Sequence, residues 1–255
     1  MKANQSCICL LSLSIVPTFA QAPRGVTLAP ITNNRLAVQR LHHNVKSSRI
    51  TPKVVVFVGD TVIPQVADGA TWQTSFIIRN LESSPRHCRV LFFNDDGTDL
   101  QLPIVGVGTT GAIDVNLNAG ETAFFETPGT SPELLQGWAS IVKDNADDSI
   151  GGMAVFRQSI PGMEPSEAVV PVVSQFDDHF VLVFDKTNTY ITSMAIANPT
   201  LNDVVATATI MDEFGNIIDQ QSLTLPSYHH QAFAIPSTWS STAGRRGRSS
   251  LRRAA

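Results

Sequence analysis

Three carboxylates lie close together in one polar segment of the chain, at Asp144, Asp147 and Asp148. Carboxylate oxygens are the ligands that Ca²⁺ prefers, and a calcium site needs about six to eight oxygens. The spacing differs from that of an EF-hand loop. A solvated hairpin turn is the second interpretation, since Asp and Asn side chains bond to nearby backbone groups in turns. These three residues are therefore candidate metal ligands, and we expect no cofactor other than calcium.

The sequence offers little for catalysis. None of the six histidines stands in an H-E-x-x-H pattern, and no G-x-S-x-G segment is present. Asp177-Asp178-His179 is the best acid–base candidate, although it also suits the start of a strand. Residues 106–111 spell G-x-G-x-x-G, but a dinucleotide site needs that loop between a strand and a helix, and here it joins two predicted strands. A non-catalytic protein is therefore favoured, with an enzyme as the alternative.

Four aromatic residues could form a platform on which sugars stack: Trp72, Trp138, Tyr190 and Trp239. Aromatic rings are also common anchors of hydrophobic cores. Trp72, Trp138 and Tyr190 stand at inward or strand-start positions of predicted strands, which favours the core. Trp239 follows the last clear strand, so we expect its side chain to be the most exposed of the four.

The first residues have the order of a secretory signal peptide. Lys2 precedes an apolar stretch at 7–16, and small residues follow at 20–22. We predict a signal peptide over 1–22, cleaved near Ala22, and a secreted, periplasmic or cell-surface protein. The apolar stretch is shorter than the roughly 20 residues that cross a bilayer. No later segment is longer, so we expect no transmembrane anchor.

Charge is segregated along the chain, whose formal net charge is −4. Residues 54–244 hold all 22 acidic residues and six basic ones, whereas 1–53 and 245–255 hold seven and five basic residues and no acid. An acidic body repels phosphates, so we expect no nucleic-acid partner. The basic stretch 23–53 is weakly patterned and is predicted to be a linker or arm.

Short β-branched and aromatic runs begin at Val54. Clusters of Gly, Asn, Asp and Pro interrupt them about every 8 to 12 residues, which is typical of a β-sandwich. Within 72–79, apolar and polar residues alternate, as in a strand with one buried face. Cys88 occupies an inward position of another such run, and it is the only cysteine outside the predicted signal peptide. The sequence therefore predicts an all-β fold of antiparallel sheets without an intramolecular disulfide.

The clearest signal is an internal repeat. The pattern W-x-T-S-x-x-I-x-N at 72–80 recurs 118 residues later as Y-x-T-S-x-x-I-x-N at 190–198. The same offset carries 92–97 onto 210–215. Agreement over this length, in register with the alternation of buried positions, indicates two copies of one β unit.

The second copy looks incomplete. The first, 54–173, contains a predicted hairpin made of 137–143 and 152–158, and the second, 174–244, has no comparable segment. Residues 245–255 lack alternation and are predicted to be an arginine-rich disordered tail. Two explanations of this tail stay open. One is a shifted reading frame or a truncated gene that replaced the missing strands, and the other is a genuine basic tail that folds on the acidic body or on a partner.

Several of these segments resemble a group of uncharacterised bacterial exported proteins with paired immunoglobulin-like β-sandwich domains. The similarity covers about residues 54–247. It is carried by W-Q-T at 72–74, N-L at 80–81, F-F-N-D-D-G at 92–97, G-W-A at 137–139, F-R-Q at 156–158 and T-A-G-R-R-G at 242–247. The resemblance implies two tandem immunoglobulin-like antiparallel sandwiches, the second lacking its final strands. It implies no activity and no site residues.

The sequence therefore favours a non-catalytic exported structural or binding module with a role at the cell surface, in adhesion, or in carbohydrate or protein recognition. Its partner would be a cell-envelope or extracellular protein or a glycan. One alternative is an exported hydrolase that uses surface carboxylates or calcium. Another is a fragment that assembles by strand addition at the open edge of its second domain.

Overall fold

The computed structural model describes residues 61–174, 178–187 and 191–254, together with the backbone of two more strands at Cys9–Ile15 and Val45–Ser47. The predicted cleavage site near Ala22 and most of the predicted linker at 23–53 lie outside these residues. The described part is almost entirely antiparallel β-structure, which confirms the predicted fold class. No helix in it is long and apolar enough to cross a membrane.

The described secondary structure consists of 18 strands and two short helical turns. The strands are β1 Cys9–Ile15, β2 Val45–Ser47, β3 Thr61–Asp68, β4 Trp72–Asn80, β5 Arg86–Asn94, β6 Leu102–Ile104, β7 Gly108–Thr110, β8 Ala112–Leu117, β9 Thr122–Glu126, β10 Leu135–Lys143, β11 Ile150–Gln158, β12 Ser166–Pro171, β13 His179–Asp185, β14 Ile191–Ala197, β15 Val204–Asp212, β16 Ile217–Leu225, β17 His230–Ala234 and β18 Arg246–Arg253. The helical turns are α1, Ile235–Thr238, and a 3₁₀ turn, Ser240–Thr242.

Strands β3 to β12 form the first unit, in which two sheets share one core. The sheet orders are β2-β8-β5-β10-β3 and β12-β11-β4-β9. Alternate residues of each strand face the core, because side chains on a strand alternate between its two faces. In β4 these are Thr74, Phe76 and Ile78, all fully buried. Phe76 stacks on Phe125 of β9 with ring centroids 4.8 Å apart and meets Phe92 of β5 at 5.6 Å, so it joins the two sheets.

The second unit, β13 to β18, has the topology of the first. Its sheet order β13-β18-β15-β16 corresponds to β3-β10-β5-β8, and β14-β17 corresponds to β4-β9. Equivalent buried asparagines show how close the match is. Asn80 Nδ2 donates to the carbonyl oxygen of Ser84 at 2.8 Å, and Asn198 Nδ2 donates to that of Asn202 at 2.8 Å. The units are therefore copies in structure as well as in sequence.

The arginine-rich end of the chain is ordered, so the prediction of a disordered tail over 245–255 is wrong for nearly all of that segment. β18 lies between β13 and β15 in antiparallel register, the place that β10 has in the first unit. Its buried residues Ser249 and Leu251 alternate with exposed Arg248. This is an ordinary strand pattern, with small or apolar residues inward and charged residues outward.

Two glycines support the equivalence of β10 and β18. A Cβ atom on Gly137 would lie 1.8 Å from the carbonyl oxygen of Phe93, and one on Gly247 would lie 1.9 Å from that of Met211. Both positions therefore require glycine. The second unit thus keeps one of the two strands that the sequence predicted to be missing. Within the described part of 178–254, no strand corresponds to β11 or β12.

The candidate sugar platform does not form. Trp239 is fully buried, contrary to the expectation that it is exposed, because α1 and the 3₁₀ turn carry it into the core of the second unit. Its indole meets Phe233 edge-on, with ring centroids 5.4 Å apart. Trp138 is also fully buried and Trp72 is partly buried. Tyr190 lies outside the described residues.

The two units pack together through the outer face of the larger sheet of the first unit. Phe93 and Trp138 stack with ring centroids 4.5 Å apart, and Tyr228 of the second unit covers the tryptophan at 6.5 Å. Trp138 Nε1 donates to the Tyr228 carbonyl oxygen at 3.0 Å. Beside this stack, the buried His230 imidazole has its Nδ1 2.8 Å from Asp95 Oδ1. These specific contacts fix the orientation of one unit on the other.

Candidate strand-acceptor site

The second unit takes one of its strands from a distant part of the chain. β14 pairs on one side with β17 and on the other with β1, Cys9–Ile15. In the first unit, β4 has β9 and β11 in the equivalent places. Both outer pairs are antiparallel. β1 therefore stands where β11 stands in the first unit, although it comes from the opposite end of the chain.

In the first unit, β11 contributes to the core as well as to the sheet. Phe156 lies opposite Thr74 and Ala154 opposite Phe76, and both β11 residues are buried. The small Ala154 leaves room for the large Phe76 opposite it, so the two side chains together fill the core without a void or a clash. The sequence of β11 is thus matched to the inward face of β4.

In the second unit, the equivalent positions of the neighbouring strand β1 are serines in the sequence. Ser14 lies opposite Thr192, and Ser12 lies opposite Met194. Thr192 and Met194 are 4% and 1% exposed. Serine has far less apolar surface than phenylalanine. β1 therefore supplies the backbone pairing of a β11 strand, with serines in the sequence at the positions that Ala154 and Phe156 hold in the first unit.

The edge of β14 is apolar as well as hydrogen-bonding. Met194 and Ile196 are buried on the inward face, and Ala197 is fully buried on the opposite face. An uncovered strand presents a row of unpaired N–H and C=O groups, which makes it a template for another strand. Buried backbone groups without partners also destabilise the fold. This edge therefore needs a neighbouring strand, and β1 is the strand that the chain itself provides.

An open cleft adjoins the first residues of β14. Its volume is about 710 Å³. Thr192, Phe184 and Gly247 line its inner part, and Phe214 and Arg248 line its outer part. Because Thr192 is the equivalent of the residue opposite Phe156 in the first unit, the cleft lies where a large side chain from the neighbouring strand could enter.

A smaller cavity of about 190 Å³ lies on the other face of β14, between the two units. Ser193 and Ala195 line it from β14, and Trp72 and Gln65 line it from the first unit. Gln65 is 8% exposed, and among the described residues its Oε1 has no hydrogen-bond partner. The first unit thus packs close to β14 and holds the acceptor edge in a defined position.

The candidate calcium ligands share the β10–β11 turn but face different partners. Asp144 Oδ1 lies 2.9 Å from His87 Nδ1, and Asp148 Oδ1 lies 3.0 Å from Arg86 Nε. Asp147 is exposed. Within 61–174, 178–187 and 191–254, no group of three or more His, Cys, Asp or Glu residues is arranged to hold a metal ion. Calcium binding stays a prediction.

Two other candidates, and the inward cysteine of β5, have local explanations. Residues 106–111 cover the turn between β6 and β7 and the whole of β7, so no helix follows the glycines. His179 opens β13, where its Nε2 lies 2.9 Å from Ser250 Oγ, and Asp177 lies outside the described residues. Cys88 is fully buried, and desolvation raises the pKa of its thiol to about 12.

The sequence contains a signal that could have identified residues 9–15 as a strand, although not which strand it pairs with. β1 and β14 are both seven residues long. The segment C-L-L-S-L-S-I also alternates leucine and serine in its second half, as a strand does. Its match to a signal peptide conceals this pattern, because an apolar run of that length satisfies both descriptions.

No protein-family model, no curated protein and no solved structure matches this chain. The resemblance to bacterial exported proteins with paired immunoglobulin-like domains stays a prediction.

Proposed function

We propose that this protein is a non-catalytic exported module whose second unit binds an extended strand of a partner protein along β14. The observation that carries the proposal is that one strand differs in origin between two otherwise equivalent sheets. β4 pairs with β11, which belongs to its own unit, whereas β14 pairs with a segment remote in the chain. An edge that takes its neighbour from a remote segment can take it from another chain through the same backbone hydrogen bonds.

Cleavage of the predicted signal peptide would determine when the edge of β14 is free to bind a partner. β1 lies inside residues 1–22, so cleavage near Ala22 removes it from the mature protein. Before cleavage, β1 covers β14 and hinders pairing with unrelated strands, a recognised hazard of free edges. After export, the edge is free in the compartment where an extracellular or cell-envelope protein is met.

A polypeptide suits this site better than a glycan. Strand addition uses main-chain hydrogen bonds for affinity and pockets for alternate side chains for specificity. β14 offers both. Its backbone can pair over seven residues, and its inward residue Thr192 lines the large cleft, which can receive a side chain. The aromatic side chains that could have stacked on a sugar, Trp138 and Trp239, are buried.

The proposal is tested with two forms of the full chain. One carries Leu11→Pro and Ser12→Pro, since proline cannot donate a backbone hydrogen bond and adjacent residues of a strand direct their N–H groups to opposite sides. The control carries Leu11→Val and Ser12→Thr, which keep the N–H groups and favour β-structure. A labelled peptide with the sequence of Cys9–Ile15 and a solubilising tag is then titrated into each.

We expect saturable binding to the proline form, measured by fluorescence anisotropy, and much weaker binding to the control, in which β1 still covers the edge. Hydrogen exchange should show that the bound peptide protects those amides of Ile191–Ala197 whose N–H groups point away from β17. Absence of binding to the proline form, or protection elsewhere in the chain without protection of β14, would contradict the proposal.

A further inference from the structure

The two units also indicate which sequence the edge of β14 selects, an inference that rests on the proposed function. We propose that the partner strand has the side-chain pattern of β11, Gly-x-Ala-x-Phe. In this register the glycine lies opposite Ile196, the alanine opposite Met194 and the aromatic residue opposite Thr192. The aromatic ring enters the cleft that Phe184 and Gly247 line.

The inward faces of β4 and β14 are held in the same way. Thr74 Oγ1 donates to the carbonyl oxygen of Ala67 at 2.6 Å. The equivalent Thr192 Oγ1 accepts a hydrogen bond from the N–H of Asp185 at 3.1 Å. In both units the threonine hydroxyl is thus tied to the end of the preceding strand. The two faces therefore present the same kind of surface to a neighbouring strand.

Two inward positions of β11 hold small residues. In the first unit, a Cβ on Gly152, opposite Ile78, would lie 2.0 Å from the carbonyl oxygen of Ile77. Ala154 follows opposite Phe76, whose equivalent Met194 is similarly long and 1% exposed. A larger residue opposite Met194 would overfill the core, whereas the position opposite Ile196 is held by Leu10 of β1 and is therefore the least selective of the pattern. Alanine also avoids the cost of burying a hydroxyl group without a partner.

A large aromatic residue is needed at the next inward position. In the first unit, Phe156 fills this place and is 1% exposed. In the second unit, the corresponding position beside Thr192 opens into the cleft of about 710 Å³. Phe214 lines that cleft with 82% of its surface exposed. Apolar side chains left exposed around a cleft are typical of a surface that a partner covers, and an inserted phenylalanine ring would cover this one.

A second copy of this chain is a poor source of the strand. Gly-x-Ala-x-Phe occurs once in the sequence, at 152–156. Those residues belong to β11, which pairs on one side with β4 and on the other with β12. A copy that donated them would have to dismantle its own first unit. We therefore assign the strand to a different protein.

The test uses the full chain with Leu11→Pro and Ser12→Pro and three labelled peptides. The parent peptide has the sequence of Ile150–Gln158. One variant carries Phe156→Ser, and the matched control carries Val155→Ser, a change at the neighbouring outward position. We expect Phe156→Ser to weaken binding about 10- to 100-fold, since a buried phenylalanine contributes that much to affinity. Val155→Ser should change affinity less than about threefold.

A substitution in the protein distinguishes the contribution of the cleft to peptide binding from that of the backbone edge. Phe214→Ser alters an exposed side chain, so the fold should be kept. It should lower the affinity for the parent peptide and leave the affinity for the Phe156→Ser peptide unchanged, as expected if the two side chains are in contact. Equal affinities of the parent and Phe156→Ser peptides would overturn the inferred pattern and leave the proposed function standing. Failure of these peptides and of the Cys9–Ile15 peptide to bind would overturn both.

Discussion

The two units have the same topology, but they complete their sheets differently. In the first unit, β11 and β12 follow β10 directly and close the smaller sheet with local strands. In the second, the place of β11 is taken by β1, across most of the length of the chain. The acceptor residues Thr192, Ile196 and Asn198 keep the types that they have in the first unit. A repeated unit can therefore keep the residues of one strand face while the neighbouring strand comes from a remote part of the chain.

The units also differ in their outer faces. The first unit packs Leu91, Phe93 and Trp138 against the second. The equivalents of the last two are Met211, which is half-buried, and exposed Arg248. The first unit is thus built to hold a neighbour on this face, and the second unit presents charge there instead.

The largest expected effect comes from the paired glycines. Gly137→Ala and Gly247→Ala should each lower the free energy of unfolding of their own unit by more than about 4 kcal/mol, because the added Cβ collides with backbone. Urea denaturation followed by near-UV circular dichroism measures this. Ser250→Ala, in the same strand as Gly247, is the control and should cost less than about 1 kcal/mol. If β18 were unstructured in solution, Gly247→Ala would leave unfolding unchanged.

The paired asparagines measure how far the equivalence extends. Asn80→Ala and Asn198→Ala each remove a buried amide that donates to carbonyl oxygens and accepts from a backbone N–H. Each should destabilise its unit by about 2–4 kcal/mol. Asn118→Ala, at an exposed position, serves as the control in the same denaturation experiment. A large cost in one unit and none in the other would show that the two loops are not equivalent.

Contact between the units should depend on one acidic residue and not on its counterpart. Asp95 accepts a hydrogen bond from Gln136 at 3.0 Å and lies 2.8 Å from buried His230. The equivalent Glu213 is exposed, as Asp95 is, but its side chain has no hydrogen bond or ion pair with another described residue. Asp95→Ala should cost about 1–3 kcal/mol, because it leaves a buried imidazole without its partner. Glu213→Ala should be close to neutral. Calorimetry of both variants distinguishes them, and equal costs would refute the assigned contact.

The smallest effect concerns thiol reactivity. A pKa of about 12 keeps the Cys88 thiol protonated at pH 8, since the thiolate forms only as the pH approaches the pKa. On the order of 10³-fold less thiolate should be present than for an ordinary cysteine. The equivalent position, Ala206, is equally buried, so the thiol introduced by Ala206→Cys in a Cys88→Ala chain should be as slow to react. Rapid alkylation of either thiol in the native protein would contradict the burial.

Alternation and repetition in the sequence are sufficient to predict an all-β chain with two related units. The strand β18 escapes prediction because arginines fill its outward positions, and the inward Gly247, Ser249 and Leu251 are too small or too few to give an apolar run. Trp239 escapes it because a helical turn between strands carries the side chain back into the core. Both errors arise where tertiary packing overrides local pattern.

The acceptor edge was predicted only in part. An incomplete second copy implies an open strand edge, which the sequence shows once the repeat is aligned. The pairing of β1 with β14 cannot be read from local pattern, because no hairpin or short loop joins the two strands. The cleft beside Thr192 is lined by side chains from β13, β15 and β18 together, so it cannot be predicted from any single segment of the sequence.

We propose that the edge of β14 can exchange its neighbouring strand and that the edge of β4 cannot. Hydrogen exchange on the full chain with Leu11→Pro and Ser12→Pro, compared with the Leu11→Val and Ser12→Thr control, tests this most directly. We predict that those amides of Ile191–Ala197 whose N–H groups point toward β1 lose protection at least about tenfold in the proline form. The amides of Trp72–Asn80 should not change, and the Ile150–Gln158 peptide should restore the lost protection. Unchanged protection of β14 in the proline form would contradict the claim.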